Sequence, residues 1–219
     1  MKKSKASLIM FASLFTITAN GQMSNKYDLA QLLKENKLRV LNREITAENS
    51  DGKNAIVMSL DADEGLAWLK DVQFSTGTIE LDIKGQNIQQ HSFVGVAFHG
   101  LNDSTFEAIY FRPFQFLSTD PVKKARGVQY ICWPTYTWQK LRAEFPGLYE
   151  NVVEPAPDPD NWFHVKIVVK EKEAWVFVND GNAPVLKVPL LASQKKGMIA
   201  LYTADQSGGS FSNLVIQND

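Results

Sequence analysis

The sequence predicts an all-β fold, an antiparallel β-sandwich of the jelly-roll type that carries one or two short helices. Apolar and polar residues alternate over many short segments, as they do along strands that bury only one face. Turn-forming residues separate these segments, and few stretches show the spacing of an amphipathic helix. Many short strands with little helix are typical of a sandwich or jelly roll.

The predicted elements begin with a short helix at residues 29–35, for which Asp28 is a suitable N-cap. Strands are predicted at residues 38–48 and 55–60, and the Asp51-Gly52 pair between them indicates a tight turn. Further strands are predicted at residues 78–84, 92–99, 106–112, 163–170, 174–179, 185–188, 197–203 and 209–216.

Residues 113–161 interrupt this pattern and are predicted to form one long, ordered loop that shapes the binding site. They contain seven of the nine prolines, and Pro cannot donate a hydrogen bond to a β-ladder. Residues 106–149 hold 11 of the 24 aromatic residues, a density that disordered segments lack. Long loops that stay ordered in compact domains are usually functional.

A short amphipathic helix is predicted inside this loop. Trp138, Leu141 and Phe145 stand at positions i, i+3 and i+7, with Thr137 as a suitable cap. The Pro146-Gly147 pair that follows is a typical helix stop. We therefore expect Trp138, and Tyr149 beyond the stop, to pack in the core.

Residues 1–21 have the features of a secretory signal peptide. Three lysines come first, residues 8–18 carry no charge, and Ala19 and Gly21 place small side chains where a signal peptidase reads. A membrane anchor, the alternative interpretation, needs about 20 apolar residues. We expect cleavage before Gln22 and an exported single domain, residues 22–219, that is soluble in the periplasm or outside the cell without inserting into a membrane.

The predicted mature chain keeps 198 of the 219 residues, which suits one well-packed domain. Its 20 basic and 24 acidic residues give a net charge of about −4, which argues against nucleic acid or an anionic membrane as partner. The only cysteine, Cys132, cannot form an internal disulfide. We interpret Cys132 as a small core residue, the alternative being a cysteine nucleophile.

Several motifs in the C-terminal third occur in a recognisable order. They are Asn161-Trp162-Phe163-His164-Val165-Lys166, Ala174-Trp175-Val176-Phe177-Val178-Asn179, Gly197-Met198-Ile199-Ala200-Leu201 and Gly209-Ser210-Phe211-Ser212-Asn213. This order resembles the concanavalin A-like lectin/glucanase superfamily, in particular the laminin-G-like branch that includes the 3-keto-disaccharide hydrolase family. The resemblance spans residues 55–217, with further matches at Gly77-Thr78-Ile79-Glu80 and Phe93-Val94-Gly95-Val96. It implies the sandwich fold and cleavage of glycosidic bonds in a small glycoside or 3-keto-glycoside.

Glu80-Leu81-Asp82 also looks like the start of the catalytic motif of family 16 glycoside hydrolases. That motif places acidic residues at alternate positions, so that all project from one face of a strand. Here Lys84 and Gly85 stand where the third carboxylate belongs, so we exclude that family. The simpler interpretation of Glu80 and Asp82 is a pair of solvent-facing acids on a half-exposed strand.

The predicted hairpin of residues 92–99 and 106–112 supplies the candidate catalytic residues. If His99 pairs with Thr105, alternation places His99 and Glu107 on one face, beside small residues that leave room for a ligand. The resemblance then suggests Glu107 as general acid/base, assisted by His99 or Glu80. The alternative for His99 and Glu107 is an exposed polar pair with no catalytic role.

Arg112 ends the second strand of this hairpin, immediately before Pro113. A guanidinium at that position can orient a substrate by holding a carboxylate or paired hydroxyls. Equally, Arg112 can be buried against a structural acid such as Glu144 or Glu150.

Sugars stack their aliphatic C–H faces on flat aromatic rings, so exposed aromatic residues are candidate sugar-binding surfaces. Trp133 and Tyr136, beside Pro134, are the expected exposed pair, whereas Trp162 and Trp175 occupy strand positions typical of packing. The full predicted substrate-binding set is Trp133, Tyr136, Tyr110, Gln129 and Glu80.

No metal or cofactor is predicted with any specificity. The three histidines, His91, His99 and His164, are too scattered in the sequence to indicate a zinc site. Calcium is an alternative at Asp158, Asp160 and Asn161, whose oxygens are suitable ligands, although a proline-broken acidic loop explains these residues as well.

Two functions from different classes fit these observations. The first is a hydrolase that cleaves the glycosidic bond of a carbohydrate or small glycoside, and the second is a lectin-like binding module without catalysis. A third interpretation is a structural domain that uses the aromatic loop as a protein interface. An enzyme needs a second titratable group close to Glu107, whereas a lectin needs only aromatic and amide groups.

Overall fold

The alternation of apolar and polar residues turns one side of each strand inward. In a computed structural model, which describes residues 24–219, the strand Phe163–Val169 buries every second side chain and turns His164 and Lys166 outward. Repeated over 15 strands of the described chain, this pattern gives two antiparallel sheets packed face to face. The predicted antiparallel β-sandwich is therefore confirmed. The predicted signal peptide, residues 1–21, lies outside the described residues.

One sheet has eight strands, with β6 and β15 at its centre and β1 paired with β15. Its strands are β1 Ser24–Tyr27, β3 Ile45–Ser50, β4 Lys53–Met58, β6 Gly77–Lys84, β11 Phe163–Val169, β12 Glu173–Val178, β13 Leu186–Pro189 and β15 Gly209–Asn218.

The other sheet has seven strands in the order β10-β9-β8-β7-β14-β5-β2. They are β2 Leu38–Leu41, β5 Gly65–Phe74, β7 Val94–Asn102, β8 Thr105–Phe111, β9 Val128–Trp133, β10 Glu150–Asn151 and β14 Gly197–Thr203.

The described chain has four short helices where one or two were predicted. They are α1 Leu29–Lys34, α2 Pro113–Phe116, α3 Pro121–Lys124 and α4 Trp138–Glu144. The caps agree with the sequence: the Asp28 side chain accepts from Gln31 N at 3.0 Å, and the Thr137 hydroxyl accepts from Lys140 N at 3.4 Å. No helix within residues 24–219 is long and apolar enough to span a bilayer.

The core lies between the sheets. The Phe111 ring of β8 meets the Phe163 ring of β11 edge to face, with 5.2 Å between the ring centroids. Burying an aromatic side chain of this size stabilises the fold by about 1.5–3 kcal/mol. Successive side chains of a strand point to opposite faces of the sheet. Because Phe111 points inward, Tyr110 lies on the outer face of the seven-stranded sheet.

Residues 113–161 are not one long loop, and that prediction is wrong. Val128–Trp133 forms β9 in the interior of the seven-stranded sheet, between β8 and the short edge strand β10. The prolines lie on either side of β9, and the strand itself contains no proline and four aromatic or β-branched residues out of six. Three further strands, β1, β5 and β10, were not predicted, and residues 38–48 divide into β2 and β3.

Candidate functional site

Five strands of the seven-stranded sheet end in loops that surround one cavity of about 780 Å³. In the register of this sheet, the last residues of β8 and β14 pair with the first residues of β5, β7 and β9. All five strand ends therefore meet at one end of the sheet. The cavity opens over the outer face at that end, and we call it the outer pocket.

Two tyrosines form the floor of the outer pocket. The Tyr110 ring on β8 and the Tyr202 ring on β14 lie 5.7 Å apart across Gly95 of β7. A Cβ at Gly95 would lie 2.1 Å from the Ile109 carbonyl oxygen, so no larger side chain fits there. Burial raises the pKa of both phenols, which therefore stay protonated at neutral pH.

One wall of the outer pocket is basic. Arg142 on α4 makes a bidentate ion pair with Glu150, at 2.8 and 2.6 Å. The guanidiniums of Arg112 and Arg126 each approach the same carboxylate to 4.0 Å. Lys123 on α3 adds a fourth cation to this wall. Three guanidiniums therefore share the single negative charge of Glu150.

Arg112 is held in place by the residues around it. It donates to the Arg126 carbonyl and to the Tyr110 hydroxyl, both at 2.9 Å, and to Gln129 Oε1 at 3.3 Å. The side chain is buried, and of the two structural acids considered for it, Glu150 is the one nearby. Arg112, Tyr110 and Gln129 thus form one connected group, and Arg112 and Tyr110 line the outer pocket.

The opposite wall is acidic. Asp63 and Glu64 precede β5, and Asp205 follows β14. Desolvation raises the pKa of the Glu64 carboxyl, and the neighbouring charges of Asp63 and Asp205 act in the same direction. The Tyr202 hydroxyl lies 3.4 Å from Glu64 Oε1. Arg43 lies behind this wall and donates to the carbonyls of the loop, including that of Asp63 at 2.9 Å.

Two indoles line the outer pocket, and only one of them is of the expected pair. Trp133 is half-buried there, whereas Tyr136 does not line the cavity and packs beneath Lys140. Trp138 was expected in the core, but it is 40% exposed at the pocket, with the Arg142 guanidinium 4.8 Å from its ring centroid. Tyr149 is buried, as expected.

Two buried polar atoms at the outer pocket lack a partner among the described residues. They are the indole nitrogen of Trp133, a donor, and Oε1 of Gln115, an acceptor on α2. Unpaired buried polar atoms are rare in folded proteins, and a ligand or an ordered water commonly satisfies them. A saccharide hydroxyl can serve both kinds of atom, because it donates and accepts.

His99 and Glu107 meet, but not at the outer pocket. His99 Nδ1 lies 2.6 Å from Glu107 Oε2, and both side chains are almost fully buried. The predicted register is wrong, because Glu107 pairs with Phe98, and an irregularity between Phe98 and Asn102 leaves His99 with a φ of 51°. Glu107 shares its face with Phe111, between the sheets, whereas Arg112 and Tyr110 lie at the outer pocket.

The interior network around Glu107 is closed. The Tyr130 hydroxyl donates to Glu107 Oε1 and accepts from Leu191 N at 2.8 Å. His99 Nε2 lies 2.6 Å from the Ser75 carbonyl oxygen, to which it donates. Every side-chain polar atom of Glu107, His99 and Tyr130 has a protein partner, and such pairing stabilises buried polar groups. The catalytic role of Glu107 and His99 stays a prediction, and their burial favours a structural role.

Cys132 of β9 borders this network. Burial, together with the charge of Glu107, raises the pKa of the Cys132 thiol to about 12. A thiol with that pKa is not a nucleophile at neutral pH, which supports the interpretation as a small core residue.

Glu80 lies on the other sheet, far from the predicted cluster. It projects from the outer face of β6, 3.5 Å from Lys166 and 3.6 Å from His164. Beside it, Asp82 accepts from His164, Lys53 and Asn213. Asp82 is therefore buried under its partners instead of facing solvent, and Glu80 does not share a cleft with Arg112.

The candidate calcium ligands are engaged by their own loop. Asp158 Oδ1 accepts from Asp160 N at 3.0 Å, Asp160 Oδ1 from Asn87 N at 2.7 Å, and Asn161 Oδ1 from Trp162 N at 2.8 Å. Within residues 24–219, no three His, Cys, Asp or Glu side chains are grouped so that they could hold a metal ion.

Sequence reasoning did not identify the acidic wall, Arg126 or Arg142. Asp63, Glu64 and Arg126 precede β5 and β9, the two long strands that were not predicted. The available signal was a set of charged residues just beyond strand ends. That signal becomes informative only when the strand order shows that these ends are neighbours.

The fold is similar to those of several solved proteins, among them a carbohydrate binding module. The carbohydrate binding module CBM66 from Bacillus subtilis is 12% identical over 82% of this chain and 95% of its own, with a TM-score of 0.59. A protein with a galectin-like fold, also from Bacillus subtilis, is 11% identical over 89% of this chain and 94% of its own, with a TM-score of 0.57.

The exoplasmic/lumenal domain of VIP36, solved with Ca²⁺ and Man₃GlcNAc, is 9% identical over 83% of this chain and 83% of its own, with a TM-score of 0.52. At these identities the similarity shows the fold, a galectin-like and concanavalin A-like sandwich. No protein family model and no curated protein sequence matches the chain. The resemblance to the 3-keto-disaccharide hydrolases therefore stays a prediction.

Proposed function

We propose that this protein binds carbohydrate in the outer pocket, as a lectin-like module. The observation that carries the proposal is the composition of one cavity: two indoles beside guanidinium, carboxylate and amide groups. Aromatic faces pack against the C–H groups of a pyranose, and planar polar groups bond its hydroxyls. The volume of about 780 Å³ suits a short saccharide.

Two structurally similar proteins add support. One is a carbohydrate binding module, and another was solved with Man₃GlcNAc. The features of residues 1–21 support a further part of the proposal, that the protein meets its ligand after export to the periplasm or the cell exterior.

Hydrolysis of a glycoside is a second candidate function, and Glu64 is the residue that favours it. Glu64 lines the outer pocket, and its pKa is raised, as in general acids that protonate a leaving group. Asp63 and Asp205 on the same wall supply further carboxylates. If the protein is a hydrolase, the outer pocket favours this wall over Glu107 as the place of the chemistry.

The test is isothermal titration calorimetry against a panel of glycans, with Trp138→Ala as the variant. Loss of an aromatic stacking surface typically costs about 1–3 kcal/mol in nucleic-acid recognition, and we expect a comparable loss of saccharide affinity. Trp175→Ala is the matched control, since Trp175 lies on the eight-stranded sheet between Lys170 and Lys187. Equal affinity of the Trp138 variant and the native protein would place the site elsewhere.

A further inference from the structure

We propose that the outer pocket selects acidic saccharides, and that its basic wall binds the carboxylate of a uronic acid residue. This inference rests on the proposed carbohydrate binding and names its substrate class. The supporting observation is that cations and carboxylates lie on opposite walls of the cavity.

The basic wall carries more positive charge than its own acid neutralises. Among the described residues, Glu150 is the only carboxylate within 4.0 Å of the guanidiniums of Arg112, Arg126 and Arg142. Lys123 has no ion pair within the same distance in residues 24–219, and it adds to the excess. Uncompensated cations in a cleft attract an anionic ligand group.

Two of these cations are free to act on a ligand. Arg112 is committed to Tyr110, Gln129 and a carbonyl, and Arg142 uses two nitrogens on Glu150. Arg126 is 35% exposed and stays 4.0 Å from Glu150, while Lys123 is exposed at the rim. A guanidinium with unused donors binds a carboxylate in fork geometry.

The acidic wall decides what kind of anion fits. The acidic residues Asp63, Glu64 and Asp205 flank β5 and β14, whereas the cations belong to the segments that flank β8 and β9. Adjacent strands lie about 4.8 Å apart, so two to four strand spacings separate the walls by roughly 10–20 Å. A polyanion such as nucleic acid would meet repulsion at the acidic wall. A short saccharide with one carboxylate and several hydroxyl donors satisfies both walls.

Gln115 gives an independent indication that a polar ligand enters this cavity. Its side chain is 7% exposed, and its Oε1 lacks a partner among the described residues. Gln115 belongs to α2, which precedes α3 of the basic wall in the chain, and it lines the same cavity. A ligand hydroxyl donor there would satisfy the acceptor.

The experiment compares matched saccharides that differ only at C6. Calorimetry would measure the affinity of the protein for glucuronate and galacturonate oligosaccharides and for their neutral glucose and galactose counterparts. We expect the acidic member of at least one pair to bind about tenfold tighter, the difference that a charge-assisted hydrogen bond makes. Its advantage should shrink as NaCl is raised, because Arg126 and Lys123 are exposed.

Arg126→Gln should remove the preference for the acidic member, so that both members of the pair bind the variant with similar affinity. Lys124→Gln is the matched control, since Lys124 pairs with Glu154 at 3.2 Å and does not line the outer pocket. Equal binding of both members overturns the inference and leaves the proposed function intact. If no saccharide binds, both this inference and the proposed carbohydrate binding are wrong. A preference that survives in the Arg126 variant, or a preference for sulfated over uronate saccharides, also overturns it.

Discussion

Glu107 and Glu64 are two carboxyl groups in opposite environments. Glu107 lies between the sheets, where His99, Tyr130 and a backbone amide satisfy its oxygens. Glu64 lies at the outer pocket with a raised pKa and one tyrosine hydroxyl nearby. Chemistry with a ligand requires access, so Glu64 is the carboxyl of the pair that can meet a substrate. Glu107 holds together a strand, a bulge and the loop at Leu191.

The position of Glu107 leads to a test by two substitutions. Glu107→Ala should lower the free energy of unfolding by about 3–5 kcal/mol, because it leaves buried polar partners unpaired. Glu107→Gln keeps an acceptor for Tyr130 and should cost roughly 1–3 kcal/mol. Urea denaturation measures both values. Saccharide affinity of the folded variants should match the native protein. If Glu107→Gln instead stops a measured hydrolysis while stability stays native, the predicted catalytic role holds.

The contact between His99 and Glu107 could be anticipated from the sequence, but its location could not. Both residues stand on one hairpin, and a short loop between them brings their strands together. The register depends on the bulge at His99, and a shift of one residue exchanges the faces of a strand. The positive φ of His99 has no clear signature in the sequence, so Glu107 was assigned to the wrong face.

At the scale of elements, residues 113–161 explain how the outer pocket is built. Helix α3 brings Lys123, α4 brings Trp138 and Arg142, and the strand between them brings Trp133. The proline and aromatic content predicted that this segment shapes a binding site, and its elements do border the outer pocket. It did not reveal β9, because the prolines on either side conceal a run that itself has strand composition. A pocket wall anchored by a strand is more rigid than a free loop.

A cross-strand pair on the other sheet gives the molecule a pH-dependent contact. His164 of β11 stands opposite Asp82 of β6, and Nδ1 lies 2.8 Å from the carboxylate. The hydrogen bond to Asp82 raises the pKa of His164 above its usual 6.5, and burial opposes this effect. Burial alone would raise the pKa of Asp82, but hydrogen bonds from His164, Lys53 and Asn213 hold it well below its usual 3.8.

These shifts fix the direction of a stability change. The raised pKa of His164 contributes stability that is complete below 6.5 and lost as pH rises through the folded value. The lowered pKa of Asp82 contributes stability above 3.8 that is lost only in strong acid. His164→Gln should therefore destabilise the protein more at about pH 5 than at about pH 9. Urea denaturation at both pH values measures this, with the exposed His91→Gln as control. A loss that grows towards pH 9 would contradict the assignment.

At the scale of the whole molecule, the two sheets differ in what their outer faces carry. The eight-stranded sheet presents ion pairs such as Lys53–Asp82, and the seven-stranded sheet presents the aromatic and charged outer pocket. The sandwich itself was predictable, because alternation and turn residues determine which side of each strand is buried. The site was predictable only in part, since its walls depend on which strand ends become neighbours. Among the residues that line the outer pocket, Arg112 and Trp133 were predicted from local context, whereas Asp63 and Arg126 could be placed there only from the strand order.

We propose that saccharide binds on the outer face of the seven-stranded sheet, and the tryptophan side chains report on this directly. Nuclear magnetic resonance would follow the five indole N–H signals during titration with the tightest-binding saccharide. We expect shifts at Trp133 and Trp138, which line the outer pocket, and none at Trp162, which precedes β11, or at Trp175 of β12. Shifts at Trp162 or Trp175 with Trp133 and Trp138 unmoved would contradict this proposal.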